Sequence, residues 1–329
     1  MNGWDLALVV VHGGSHSSGE RSSIVRDVEH GRLLRLRKGV HVDRAAFEAL
    51  TAEQRHVVQM RAVEAVSPVP VVFSHFSALV LHGLPVLRSR LDRVHTTVAT
   101  AGARGRDGVA GHVFPLSEEE VVRGGPLLAT AVGRSVVDVA GAARFGEGLM
   151  AADAVLRSGS PRSLLAAAAD LAGPRNAGRR ITDVVAVAHP GAESANESMS
   201  RAGMIRLGYW PPELQHALWD AEGLVAYLDF WFRRFRVGGE ADGLQKYLDP
   251  SMARSGAGRA VYDEKRREDR VLPLVDGLAR WGWPEAVDPN RLRLKLAAVG
   301  VVPASPRATI ADYAAAARDA RPRFWTPTR

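Results

Sequence analysis

Leu224-Val225-Ala226-Tyr227-Leu228-Asp229-Phe230-Trp231-Phe232, followed by Phe235-Arg236-Val237-Gly238-Gly239-Glu240-Ala241-Asp242-Gly243, sets the architecture of the last third of the chain. The first run is apolar and aromatic at every position except Asp229, and the second closes on an acidic cluster beside a glycine turn, so two neighbouring strands are expected. An acid in the middle of an apolar strand is costly unless it is paired or binds a cation. Here Asp229, Glu240 and Asp242 come within reach of one another.

That spacing suits phosphodiester hydrolysis. The reaction needs a divalent cation that polarises the phosphate and lowers the pKa of an attacking water, and two carboxylates converging from adjacent strands would hold it. Asp229 and Glu240 are the expected ligands of Mg²⁺ or Mn²⁺, with the Ala241 carbonyl as a further oxygen and waters filling the remaining positions. Upstream, Glu193 to Arg201 begins an amphipathic helix, in which Ser194 caps and Glu197 stands at the acidic position of a capping box. Glu197 would bind the same ion or orient a water. Lys246, beyond Asp242, would position that water or stabilise charge on the phosphate; an ordinary surface ion pair with Asp242 explains the same spacing.

Leu228-Asp229-Phe230 with Gly239-Glu240-Ala241-Asp242-Gly243-Leu244-Gln245-Lys246-Tyr247 resembles the core of very-short-patch-repair endonucleases, a branch of the PD-(D/E)XK nucleases. The resemblance covers roughly residues 190 to 290 and makes Asp229 the first acid and Glu240 the second. Glu193 to Arg201 resembles the helix that opens that core, and Tyr262 to Asp269 the helix that follows it. Asp242 stands where the general pattern has its lysine, and Lys246 where close relatives often have histidine. A restriction-endonuclease-like α/β/α core with a C-terminal extension, together over 191–329, is what the resemblance implies.

Beyond the acids, Asp263 to Leu272 reads as a helix of both charge signs. Its Arg266, Arg267 and Arg270 would line a phosphate track, or form a solvated face laced by ion pairs. Arg291 to Val302 reads as a strand or helix.

At the other end, Leu6 to Val11 is a short apolar run that reads as a first helix; Asp5 precedes it and no basic region does, so it does not read as a signal peptide. Gly13-Gly14 makes a turn, Ile24, Val25 and Val28 fall at helical spacing up to Gly31, and Leu33 to Val42 alternates about a Lys38-Gly39 turn as a hairpin would. Helix, turn, helix, hairpin is the order of a winged helix-turn-helix, here over residues 1–50. The segment Ser15 to Arg21 is short for its middle helix. Arg21 and Arg26 would face a DNA groove while Arg35, Arg37 and Lys38 on the wing meet phosphates. A solvated hairpin surface is the alternative.

The region 51–190 reads as an α/β (α+β) middle domain, with helices near Ala52 to Ala65 and His75 to His82 and strands at Arg93 to Val98 and Gly111 to Phe114. A helical second half follows at Arg134 to Ala140, Leu149 to Arg157 and Arg162 to Leu171. The wing Leu34 to Val42, the segment Ser74-His75-Phe76-Ser77-Ala78-Leu79-Val80-Leu81-His82-Gly83-Leu84-Pro85-Val86 and, more weakly, Thr130 to Asp138 resemble the AbiEi-type antitoxins. That resemblance implies a DNA-binding winged helix joined to an α/β partner domain, acting as autorepressor and antitoxin, with a toxin or other defence protein as partner.

Composition agrees with this division. A chain of 329 residues exceeds what one core usually organises, and 46% hydrophobic with 24% charged residues is ordinary for a globular protein. The net charge of +7 and pI near 10.2 favour acidic partners, of which nucleic acid is the commonest. Absence of cysteine removes disulfides and thiolate metal sites, and fits a cytoplasmic location. No apolar run approaches the roughly 20 residues of a membrane span.

The expectation is therefore a multidomain α/β, DNA-binding, Mg²⁺-dependent endonuclease of defence or repair. RNA remains open as substrate, as does a homodimer. The rival is an antitoxin-like transcriptional regulator with an inactive nuclease fold.

Overall fold

The computed structural model describes residues 5–10, 17–98, 108–172, 177–241, 265–318 and 320. It is a mixed α/β chain that divides into two compact units, Met1–Val139 and Ala140–Arg329.

The first unit holds two sheets. Strand β1 (Val9–Val10) pairs antiparallel with β3 (Val40–Asp43), which pairs antiparallel with β2 (Leu33–Arg37), giving the order β1-β3-β2. Helix α1 (Ser18–Glu29) lies between β1 and β2 in sequence and starts on a complete capping box, Ser17 with Glu20. Gly39, with φ of 78°, turns the β2–β3 hairpin, a conformation that costs glycine least. The helix expected over the apolar N-terminal run does not form in residues 5–10. Val9 and Val10 are β-branched and extend the sheet instead, because a run this short gains more from ladder hydrogen bonds than from an isolated helical turn. The Gly13-Gly14 turn and the start of the segment Ser15 to Arg21 lie outside the described residues.

Helices α2 (Arg44–Glu48) and α3 (Ala52–Glu64) follow the hairpin. Phe47, Leu50 and Val58 close a small core on Leu6 and Val42. Then β4 (Val72–Phe73), α4 (His75–Leu81), β5 (Val94–Val98), β6 (Val109–Val113), β7 (Val121–Gly124) and β8 (Leu127–Thr130) build a five-stranded mixed sheet of order β6-β5-β4-β8-β7. Its core is Val57, Met60, Val63, Phe73, Val94 and Leu127. The boundary between the units falls within α5 (Val132–Ala142).

The second unit begins with α6 (Phe145–Arg157), α7 (Arg162–Leu171), α8 (Gly178–Val187) and α9 (Ala195–Leu207). A four-stranded sheet follows, made of β9 (Glu213–Asp220), β10 (Gly223–Phe232), β11 (Val237–Ala241) and β12 (Gly277–Trp281) in the order β12-β11-β10-β9. Strands β9, β10 and β11 are antiparallel neighbours, whereas β12 runs parallel to β11. A parallel neighbour requires a crossover, and a helix over 265–271, here α10, lies on that connection. Helices α11 (Trp283–Val287), α12 (Pro289–Ala297) and α13 (Ile310–Ala317) complete the unit.

Buried contacts fix α9 on α6, α8 and this sheet. Arg201 of α9 bonds Asp153 of α6 at 2.7 Å, with side chains 3% and 0% exposed, and also donates to the Val187 carbonyl at 2.7 Å. Trp281 of β12 donates its indole N–H to Ser200 of α9 at 2.8 Å. Trp281 also stacks on Phe230, and a Cβ on Gly239 would lie 2.7 Å from the Trp281 ring, so only glycine lets the indole settle there. Among the described residues no helix is long and apolar enough to cross a membrane.

Candidate functional site

Glu197 and Asp229 meet where the first turn of α9 faces the middle of the sheet. Gln215 of β9 joins them: its side-chain amide donates to Glu197 Oε2 at 3.1 Å and to Asp229 Oδ1 at 3.4 Å. Gln215 holds a left-handed backbone with φ of 53° at the level of Asp229, between the His216↔Leu228 and Leu214↔Phe230 pairs. A non-glycine residue in that region is strained and persists where surroundings hold it.

Each acid has further anchors. The Asp229 Oδ2 accepts the Ala241 N–H at 2.8 Å, where β11 passes β10. Ser194 caps the Glu197 N–H at 3.1 Å, as expected, but the Glu197 carboxylate turns to the N–H of Glu193 at 2.8 Å rather than completing a box on Ser194. Burial, with Glu197 only 5% exposed, and then the neighbouring Asp229 charge push the Glu197 carboxyl up to about 7. Two carboxylates held this close disfavour a second negative charge, and a divalent cation relieves that penalty.

Glu240 is placed differently. In register with Arg280 of β12, it accepts from Arg280 Nε at 2.8 Å and from an N–H of Arg267, on α10, through its other oxygen. Burial raises its carboxyl, and the charges of Arg267 and Arg280 pull it back only in part. The strand's alternation explains the separation. Gly239 faces Trp281 and Phe230, on the side of α9, whereas Gly238 faces Leu228 and Leu278. Glu240 follows Gly239 and leaves the sheet on the Gly238 side, where Val271 of α10 packs with Leu228 and Leu278.

Sequence-expected residues thus divide. Glu197 and Asp229 come together, with Gln215, which the sequence reading did not single out. Glu240 joins Arg267 and Arg280 instead. Asp242 and Lys246 lie outside the described residues, as do Tyr262 to Glu264. Arg266 is exposed on α10, whereas Arg270 is tied to Asp220 by two bonds of 2.8 Å. In the first unit Arg26 is exposed on α1 and Lys38 at the hairpin turn. Arg35 is exposed with its Nε 3.3 Å from the Arg37 carbonyl, and Arg37 is half-buried.

Among the described residues no group of three or more His, Asp or Glu side chains closes on one point. Two carboxylate groups with their remaining positions left to water do match the way Mg²⁺ binds, since it dehydrates reluctantly. The Glu197–Asp229 pair fits that description; Glu240, as placed, does not. Compared with known proteins, the chain matches no family model and no curated protein.

Proposed function

We propose that the chain is a DNA-binding, Mg²⁺-dependent endonuclease whose chemistry resides at Glu197 and Asp229. The observation that carries this reading is the pair of carboxylates bridged by Gln215, held between a helix and the middle strands of an antiparallel meander that ends in a parallel crossover. The order α9-β9-β10-β11-α10-β12 supports it: it is the layout expected of a restriction-endonuclease-like core, although fold alone never fixes an activity. The N-terminal hairpin with Arg35, Arg37 and Lys38, together with Arg26 of α1, supplies the DNA-binding half, as a winged-helix reading of residues 1–50 would have it.

When bound, the cation would polarise the scissile phosphate and acidify a water. The chain's own part is to aim the two carboxylates. Gln215 fixes one oxygen of each acid, and the Ala241 N–H fixes the second oxygen of Asp229. A buried carboxylate such as Glu197 is then placed to orient the water or to accept its proton.

Incubation of purified protein with supercoiled plasmid and Mg²⁺ or Mn²⁺ tests the reading. Cutting that Asp229→Asn abolishes supports it. Binding of DNA without cutting under either cation would favour the rival, an antitoxin-like regulator with an inactive nuclease fold.

A further inference from the structure

We infer that Glu240 is a positioning residue rather than a metal ligand, holding Arg267 and Arg280 so that the two guanidiniums grip the phosphodiester backbone of the nucleic acid. This rests on the nuclease reading above and assigns its second acid a different task. Three observations carry it. Glu240 leaves the sheet on the side opposite the α9-facing Gly239, away from Glu197. Each of its two oxygens is engaged by a different arginine. Its side chain is 8% exposed while those of Arg267 and Arg280 are 35% and 32% exposed, so a sunken carboxylate lies beneath two cations that reach solvent.

That layering is what an oxyanion receptor needs. A guanidinium is planar and presents its donors on several edges, so one edge can be held by a carboxylate while another faces a phosphate. Fixing the plane beforehand removes part of the entropy that a long side chain loses on binding. Glu268, 3.5 Å from Arg280 Nη1, restrains the same guanidinium, and the exposed Arg266 adds a cation on α10.

The experiment pairs Mn²⁺ titration of the full chain by calorimetry with binding of a mixed-sequence DNA duplex at several salt concentrations. Glu240→Gln is expected to keep Mn²⁺ affinity within twofold of wild type, whereas Asp229→Asn loses it. Arg267→Ala and Arg280→Ala, substitutions at partly exposed positions, are each expected to weaken duplex binding roughly tenfold. Each should also flatten the slope of log affinity against log salt by about 0.9. Loss of Mn²⁺ binding in Glu240→Gln would make Glu240 a ligand and overturn the inference while leaving the nuclease reading intact. Unchanged affinity and slope in both arginine variants would overturn the phosphate contact. If wild type binds no Mn²⁺, the nuclease reading falls, and the duplex titrations alone decide the arginine pair.

Discussion

Glu197 and Asp229, carried by a helix and by a strand that are distant in sequence, are joined through one side-chain amide, that of Gln215. The amide's two N–H groups satisfy one oxygen of each acid, so neither carboxylate turns away. Groups that orient metal-binding side chains usually matter nearly as much as the ligands. Gln215→Ala should therefore lower Mn²⁺ affinity by roughly 10- to 100-fold, with the far-ultraviolet circular dichroism unchanged. A loss below threefold would show that the strained Gln215 backbone alone sets the geometry.

The helix that carries Glu197 is anchored by Arg201 and Asp153, both buried. Removing one partner of such a pair strands a charge and typically costs about 3–5 kcal/mol. Arg201→Leu should lower stability by that order in urea unfolding, and adding Asp153→Leu should recover much of the loss. Recovery is the informative part, because a pair needed only for its charges gives it and a pair needed for its shape does not.

Gly239 is where the sheet admits Trp281. A Cβ there would lie 2.7 Å from the Trp281 ring, so the ring must shift. Gly239→Ala should cost about 1–3 kcal/mol by overpacking and weaken the Trp281–Ser200 bond that seats α9. Tryptophan fluorescence and thermal unfolding read both effects.

Acid should destabilise the first unit through its buried histidines. His56 is held neutral, down to about 4, chiefly by burial, and His95 to about 3, by burial and then by His112. In the unfolded chain these rings take up protons near pH 6.5, whereas in the folded chain they do so only far below that, so stability is lost as pH falls through that window. For His56 alone the drop by pH 4 is roughly 3 kcal/mol. Urea midpoints measured between pH 7 and pH 4 should decline steadily, and His56→Gln should decline less. A flat profile would mean that these rings titrate normally.

How much of this was legible in the residues depends on what each contributes alone. Asp229 stood out because one acid interrupted an apolar strand, and Glu197 because a capping position marks a helix start. The helices Ala52–Glu64, His75–Leu81 and Ala195–Leu207 and the strands β10 and β11 follow their periodicities closely. Gln215 gave no signal, since a polar residue in a polar stretch acquires its role only when β9 pairs with β10. Glu240 read as a ligand because spacing along a strand does not reveal which face is already occupied by arginines from β12 and α10. Val9 and Val10 read as helix because a short apolar run has no period long enough to distinguish the two structures.

In the proposed mechanism Asp229, with Glu197, holds a divalent cation that the chain uses to cut nucleic acid. Its most direct measurement is Mn²⁺ affinity by calorimetry for wild type, Asp229→Asn and Glu197→Gln, alongside plasmid cleavage by the same preparations. One bound ion is expected in wild type, loss of both binding and cleavage in Asp229→Asn, and weakened binding in Glu197→Gln. Equal Mn²⁺ affinity and equal cleavage in all three proteins would contradict it.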